Sequence, residues 1–225
     1  MPAYKIIIVE DEPFLSDAYK LVFRILNEDS FDNSYSVSTA NTYEQGVAII
    51  HKCSFNQDDN LIAILDIRIL SNDGGFKKTG EDLALLLKSL RPDSKIIIVT
   101  SLVKKYYYHS IVTKVNPQGF LIKSEMDFNK LKLAINRIIN GETYFTKSIS
   151  DFFRRSAVLN LPIDEYDRKL LFHLSEGCTI KEMSEILNLS ISGIEWRQRK
   201  LSRIFNLENV RIKSLLQKAT EFGLI

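Results

Sequence analysis

The sequence predicts an α/β protein, a doubly wound five-stranded parallel sheet followed by a small all-α helix-turn-helix domain. Three observations predict it. Five short apolar runs alternate with helically patterned stretches over about the first 140 residues, and repeated strand–helix units build a parallel sheet with helices on both faces. Four of those runs end on reactive polar side chains, Glu10-Asp11, Asp66, Thr100 and Lys123, and the carboxyl ends of parallel strands share one edge where ligands bind. Further on, two short helical stretches are joined by a very brief turn, the pattern of a helix-turn-helix.

Taken in order, Tyr4-Lys5-Ile6-Ile7-Ile8-Val9 reads as a strand buried on both faces. Pro13 suits the first turn of the next helix, where its missing N–H costs nothing, and Phe14, Ala18, Leu21, Val22, Ile25 and Leu26 form its expected apolar face. Tyr35 to Ala40 alternates like a strand, and Thr42 to His51 reads as a helix. Leu61-Ile62-Ala63-Ile64-Leu65 is a second fully buried run, ending on Asp66. A Leu-rich helix from about Glu81 to Leu90, a strand from Lys95 to Val99, a helix from Lys104 to Val115, a strand at Phe120-Leu121-Ile122 and a helix from about Asp127 to Ile139 complete five units. Gly141 stands at the C-cap of that helix, and residues 141–162 read as a linker. Beyond it, helices are expected over roughly Asp164–Ser175, from the capping box Thr179-Ile180-Lys181-Glu182 to Leu187, and from Ile191 to about Phe205 behind Ser190. The expected domains are 1–140, 141–162 as linker, and 163–225.

Composition excludes more than it selects. The 225 residues are 45% hydrophobic and 26% charged, ordinary for a soluble globular protein of one or two domains. No apolar run approaches the roughly 18 residues of a membrane span, and the N-terminus lacks a signal-peptide pattern, so a cytoplasmic protein with no membrane partner is expected. Cys53 and Cys178 stand alone, and His51, His109 and His173 lack metal-ligand spacing. The net charge of +2 is nearly silent about nucleic acid, so that argument rests on local placement.

The strand ends carry the chemistry. Glu10, Asp11 and Asp66 converging on one crevice repel one another unless a cation neutralises them. Oxygen-only ligands suit a hard octahedral ion, which makes Mg²⁺ the natural cofactor. A lysine and a hydroxyl beside such an ion, Lys123 and Thr100, complete a site for a phosphoryl group.

Val9-Glu10-Asp11-Glu12-Pro13, Leu65-Asp66-Ile67, Val99-Thr100-Ser101 and Gly119-Phe120-Leu121-Ile122-Lys123-Ser124 together resemble the receiver domain of two-component response regulators, a flavodoxin-like fold. The resemblance implies that Asp66 takes a phosphoryl group from a histidine kinase. It also implies that Glu10, Asp11, Asp66 and the backbone carbonyl of Arg68 hold Mg²⁺. Lys123 and Thr100 would then contact phosphoryl oxygens, and Phe120 would be the switch aromatic. Such a protein is a phospho-acceptor and not a multi-turnover enzyme. The chain departs from the pattern in a long Asp66–Gly80 connection containing Asn72-Asp73-Gly74-Gly75, and in Leu70 where a proline is usual. Arg68 and Leu102 are expected to flank the route of water to the phosphate and to alter its lifetime.

Residues 163–225 resemble the LuxR/NarL-type helix-turn-helix effector, from Ile163 through Gly177, Lys181-Glu182, Leu187 and Ser190 to Gly223-Leu224-Ile225. In its second helix Ile191, Ile194, Leu201, Ile204 and Phe205 are expected to be buried, while Ser192, Glu195, Trp196, Arg199 and Arg203 share another face. Arg197, Arg199, Lys200 and Arg203 place four positive charges within seven residues, a footprint for phosphate contact. Gly193, Glu195 and Trp196 depart from the usual residues; Glu195 could accept from a cytosine amino group or weaken phosphate binding. The expected DNA contacts are Ser192, Glu195, Trp196, Arg199, Lys200 and Arg203. Together the two halves imply a DNA-binding response regulator that pairs as a homodimer, with a protein-binding output domain as the alternative.

Overall fold

The computed structural model describes residues 2–29, 33–54, 60–69, 78–101, 105–159 and 161–225. They fall into two compact units, Met1–Leu102 with Ile111–Ile149, and Val103–Ser110 with Ser150–Ile225.

The first unit is an α/β sandwich. Its elements are β1 (Ala3–Val9), α1 (Pro13–Asp29), β2 (Ser34–Ala40), α2 (Tyr43–Ser54), β3 (Asn60–Asp66), α3 (Gly80–Leu90), β4 (Lys95–Thr100), α4 (Lys105–Val115, which crosses the division), β5 (Gly119–Ile122), α5 (Phe128–Ile139) and β6 (Tyr144–Phe145). The strands pair in the order β2-β1-β3-β4-β5-β6, all parallel. Ile6, Ile8, Ile62, Ile64, Ile97, Val99 and Leu121 pack with Phe23 and Ile135 in one core cluster. Double-sided burial is why these runs are almost purely aliphatic.

Two expectations need correction. The sheet has six strands, not five: Tyr144 and Phe145 pair with Gly119 and Phe120. The Tyr144 amide donates to the Gln118 carbonyl and the Thr146 amide to that of Phe120. A two-residue strand is too short for any periodicity to announce it, and it lies within the stretch 141–162 expected to be linker. On α1, Phe14 is 83% exposed and Leu21 is exposed, while Ser16, Tyr19, Val22, Phe23 and Leu26 are buried. The buried face runs instead through Tyr19, Val22, Phe23 and Leu26, which pack in the core of the sheet, and the Tyr19 hydroxyl lies 3.5 Å from Glu10.

The second unit is helical: α6 (Lys147–Leu159), α7 (Glu165–Ser175), α8 (Ile180–Leu187), α9 (Ile191–Ile204) and α10 (Ile212–Glu221). Leu170, Leu171, Leu174, Met183, Ile194, Leu201 and Leu215 form its core. Asp164 caps α7 and Thr179 caps α8, each in a reciprocal capping box, and Ser190 caps α9 through the Gly193 amide. Asn188 in the left-handed region (φ 52°) makes the turn between α8 and α9 tight. Helix α6 lies inside the stretch expected to be linker. Ile191 is exposed where burial was expected, and Gln198 and Ser202 are buried instead. Among the described residues no helix is long and apolar enough to cross a membrane.

Candidate functional site

The acidic site forms where β1 and β3 end. Asp66 is the last residue of β3 and Glu10 follows β1; both are buried, while Asp11 is half-buried. One carboxylate oxygen from each of Glu10, Asp11 and Asp66 lies within 4.8 Å of the others. Lys123, just after β5, donates from Nζ to Asp66 Oδ2 at 2.7 Å, to Glu10 Oε1 at 2.8 Å and to Glu12 Oε1 at 3.1 Å. The second Asp66 oxygen accepts the Arg68 amide at 3.1 Å. A cleft of about 190 Å³ opens here, lined by Asp11, Glu12, Asp66, Arg68 and Ser101. Geometry therefore unites Glu10, Asp11, Asp66 and Lys123, the four ionisable side chains expected to meet there.

The electrostatics follow from burial. Desolvation pushes the Glu10 carboxyl up to about 7 against the opposing pull of Lys123, with the Asp66 charge adding to the rise. Burial also raises Asp66, again opposed by Lys123. Lys123 is itself lowered by burial, but hydrogen bonds and charges from Asp66 and Glu10 more than reverse this and hold it protonated. One ammonium thus serves three carboxylates, an acid excess that a hard divalent cation with oxygen ligands would neutralise. The donor set fits such an ion.

Thr100 ends β4 and is fully buried, and Phe120 is fully buried on β5 with its ring edge-on to Phe145, centroids 6.3 Å apart. At this site Ser101, not Thr100, lines the open cleft. Leu102 and the 70–77 part of the long loop lie outside the described residues. Sequence reasoning assigned no role to Glu12 or Tyr19, and marked Gly80 only as the end of the long connection. Glu12 belongs to the acidic triplet after β1 and could have been weighed with it. A Cβ on Gly80 would stand 1.9 Å from the Asp66 carbonyl oxygen, so only glycine lets α3 start so close to β3.

In the second unit, α9 divides its charges. Arg197 donates to both Asp164 (2.8 Å) and Asp167 (2.7 Å), and Lys200 also reaches both carboxylates. Asp167 is wholly buried, so these two cations hold α9 to α7. Lys200, expected to contact DNA, is half-buried and engaged in that pairing. Ser192, Glu195, Trp196, Arg199 and Arg203 are exposed. Among the described residues, Arg199 and Arg203 form no ion pair. Trp196 is 53% exposed, with Lys200 Nζ over its ring at 5.9 Å; it is no core residue.

A receiver-type α/β unit followed by a helix-turn-helix unit is the fold of full-length response regulators, and the chain has that fold. RcsB from Salmonella enterica serovar Typhimurium, bound to promoter P1flhDC in the presence of phosphomimetic BeF3⁻, matches with a TM-score of 0.57 at 19% identity, over 95% of this chain and 96% of that one. A second RcsB–DNA complex matches at 0.53 and 19%, over 96% and 97%. In sequence, the probable transcriptional regulator ycf29 of Pyropia yezoensis is 24% identical over 225 residues, covering 96% of this chain and 89% of that protein. A family model described as "Family of unknown function (DUF5932)" matches residues 127–224.

Proposed function

We propose that this chain is a phosphorylation-controlled transcription regulator whose Asp66 accepts a phosphoryl group from a histidine kinase. The observation that carries the reading is the Asp66 carboxylate at the end of β3, 2.7 Å from Lys123 and grouped with Glu10 and Asp11. Asp66 Oδ supplies the electron pair that forms the new O–P bond, while the kinase imidazole leaves with the electrons of the P–N bond. Lys123 is placed to follow one phosphoryl oxygen, giving up part of its present contact with Glu10 or Glu12. Glu10, Asp11, Asp66 and the Arg68 carbonyl would hold Mg²⁺, which when bound offsets the negative charge gathered at the phosphoryl group. The Thr100 hydroxyl would turn to the new anion, and Phe120 would repack with it.

The output would be DNA binding by a LuxR/NarL-type effector, with α9 in the major groove and Arg199 and Arg203 at the phosphates. Phosphorylation would favour a homodimer that reads two half-sites about one helical turn apart. A cytoplasmic setting goes with that role. Treatment with acetyl phosphate and Mg²⁺ should add one phosphoryl mass to the wild type and none to Asp66→Asn, and should tighten DNA binding only in the wild type. An equal mass gain in Asp66→Asn would refute the acceptor assignment. Phosphorylation without any sequence-selective DNA binding would leave the protein-binding output as the better reading.

A further inference from the structure

The second unit contains a cavity that the phosphoacceptor reading does not use. Its volume is about 360 Å³, within the range of small-molecule sites. Phe153 of α6, Leu161, Ile163 and Leu224 supply apolar wall, and His109, Ser156 and Arg168 supply polar atoms. All of these residues belong to the second unit.

Arg168 is the unusual member. It lies on α7 and is only 9% exposed, and among the described residues its Nε and Nη1 are buried without a hydrogen-bond partner. Buried guanidinium N–H groups are ordinarily paired, and one left unpaired calls for an unseen acceptor. The adjacent Asp167 does not serve. Its carboxylate already accepts from the Asp164 amide, Arg197 and Lys200. Asp164 and Asp167 are thus balanced by Arg197 and Lys200, and Glu165 by Lys169 at 2.9 Å, which leaves the charge of Arg168 as the surplus on α7. His109 adds no second cation at pH 7, because burial and then the Arg168 charge hold it below its ordinary range.

We propose that this cavity binds a small organic monocarboxylate, its carboxylate on the Arg168 guanidinium and its apolar body against Phe153, Ile163 and Leu224. One surplus positive charge matches one negative charge, and a guanidinium fork matches the geometry of a carboxylate. The aliphatic and aromatic wall favours a ligand with a hydrocarbon body over a compact, strongly hydrated anion. Such a ligand would bridge α6, α7 and the C-terminal segment, making the packing of the effector unit responsive to a metabolite of that class.

The test is calorimetric titration of the full chain with sodium benzoate, benzamide and inorganic phosphate. Benzoate should saturate a single site, with benzamide and phosphate weaker by about tenfold or more, the value of one charge-assisted hydrogen-bonded contact. Arg168→Gln should weaken benzoate by a similar factor while its circular dichroism stays that of wild type. Should that variant unfold, wild-type protein decides alone: nuclear Overhauser contacts from benzoate to the Ile163 and Leu224 methyls support the site. Absence of saturable benzoate binding, phosphate binding as tightly as benzoate, or contacts confined to other residues would each overturn it.

Discussion

Glu10 makes a quantitative test of the acidic site available through stability alone. Its carboxyl titrates near 7 in the folded chain against an ordinary 4.5. The native state therefore holds a proton there that the unfolded chain releases, and the sign follows. Stability is fully present below about pH 4.5 and is lost as pH rises through about 7. At 1.36 kcal/mol per pKa unit, the interval corresponds to about 3 kcal/mol at pH 8.5. Asp66, raised by burial, adds a loss of the same sign. Lys123 adds no slope in this window, because it titrates above its ordinary 10.5. Glu10→Gln has nothing to ionise, so its stability relative to wild type should improve between pH 5 and pH 8.5 by up to about 3 kcal/mol. Urea denaturation in EDTA, following the transition of the first unit for both proteins, measures that difference and cancels other titrating groups such as His109. Parallel pH profiles for the two proteins would refute the account of burial at Glu10.

Gly80→Ala should lower the stability of the first unit by about 1–3 kcal/mol, since its Cβ meets Asp66 backbone that cannot swing away. It should also slow phosphoryl transfer from acetyl phosphate, and wild-type behaviour in both assays would contradict the close approach. Arg199→Ala should weaken DNA binding with little change in stability and flatten the salt dependence of log affinity by about one. Arg197→Ala should instead destabilise the second unit by about 2 kcal/mol in thermal or urea melts, because buried Asp167 loses one of its two cations and keeps Lys200 and the Asp164 amide. Adding Mg²⁺ should stabilise the first unit of wild type at pH 8 far more than that of Asp66→Asn, read as a shift in melting temperature.

How much of this was legible in the chain depended on the length of each signal. Ile6-Ile7-Ile8-Val9 and Leu61–Leu65 are unmistakable because a strand buried on both faces leaves no room for polar residues. The acids at their ends were legible for the same reason, standing where the apolar runs stop. Strand β6 was not, since two residues have no period and its pairing is decided by Gln118 and Phe120 across the sheet. Phe14 misled because helical spacing gives a face but not its rotation; the packing of Tyr19, Val22, Phe23 and Leu26 against the sheet sets that. Lys200 misled because a basic run announces charge and says nothing of partners 33 and 36 residues away on the chain.

The division of charge along α9 also explains why the near-neutral balance of the chain is compatible with DNA binding. Arg197 and Lys200 are matched by Asp164 and Asp167 inside the unit, so they add little to the field outside it. Arg199 and Arg203 are exposed without an ion pair among the described residues, and four residues apart they lie on one face of the helix. Counting formal charge averages these two populations and loses the distinction. The second pair is what the cations of α9 add to the potential outside the unit, and at physiological salt its reach is about 8 Å. Glu195, exposed one turn before Arg199, is close enough to subtract from it. The sign and strength of the α9 surface thus rest on three side chains rather than on the thirty basic and twenty-eight acidic residues of the chain.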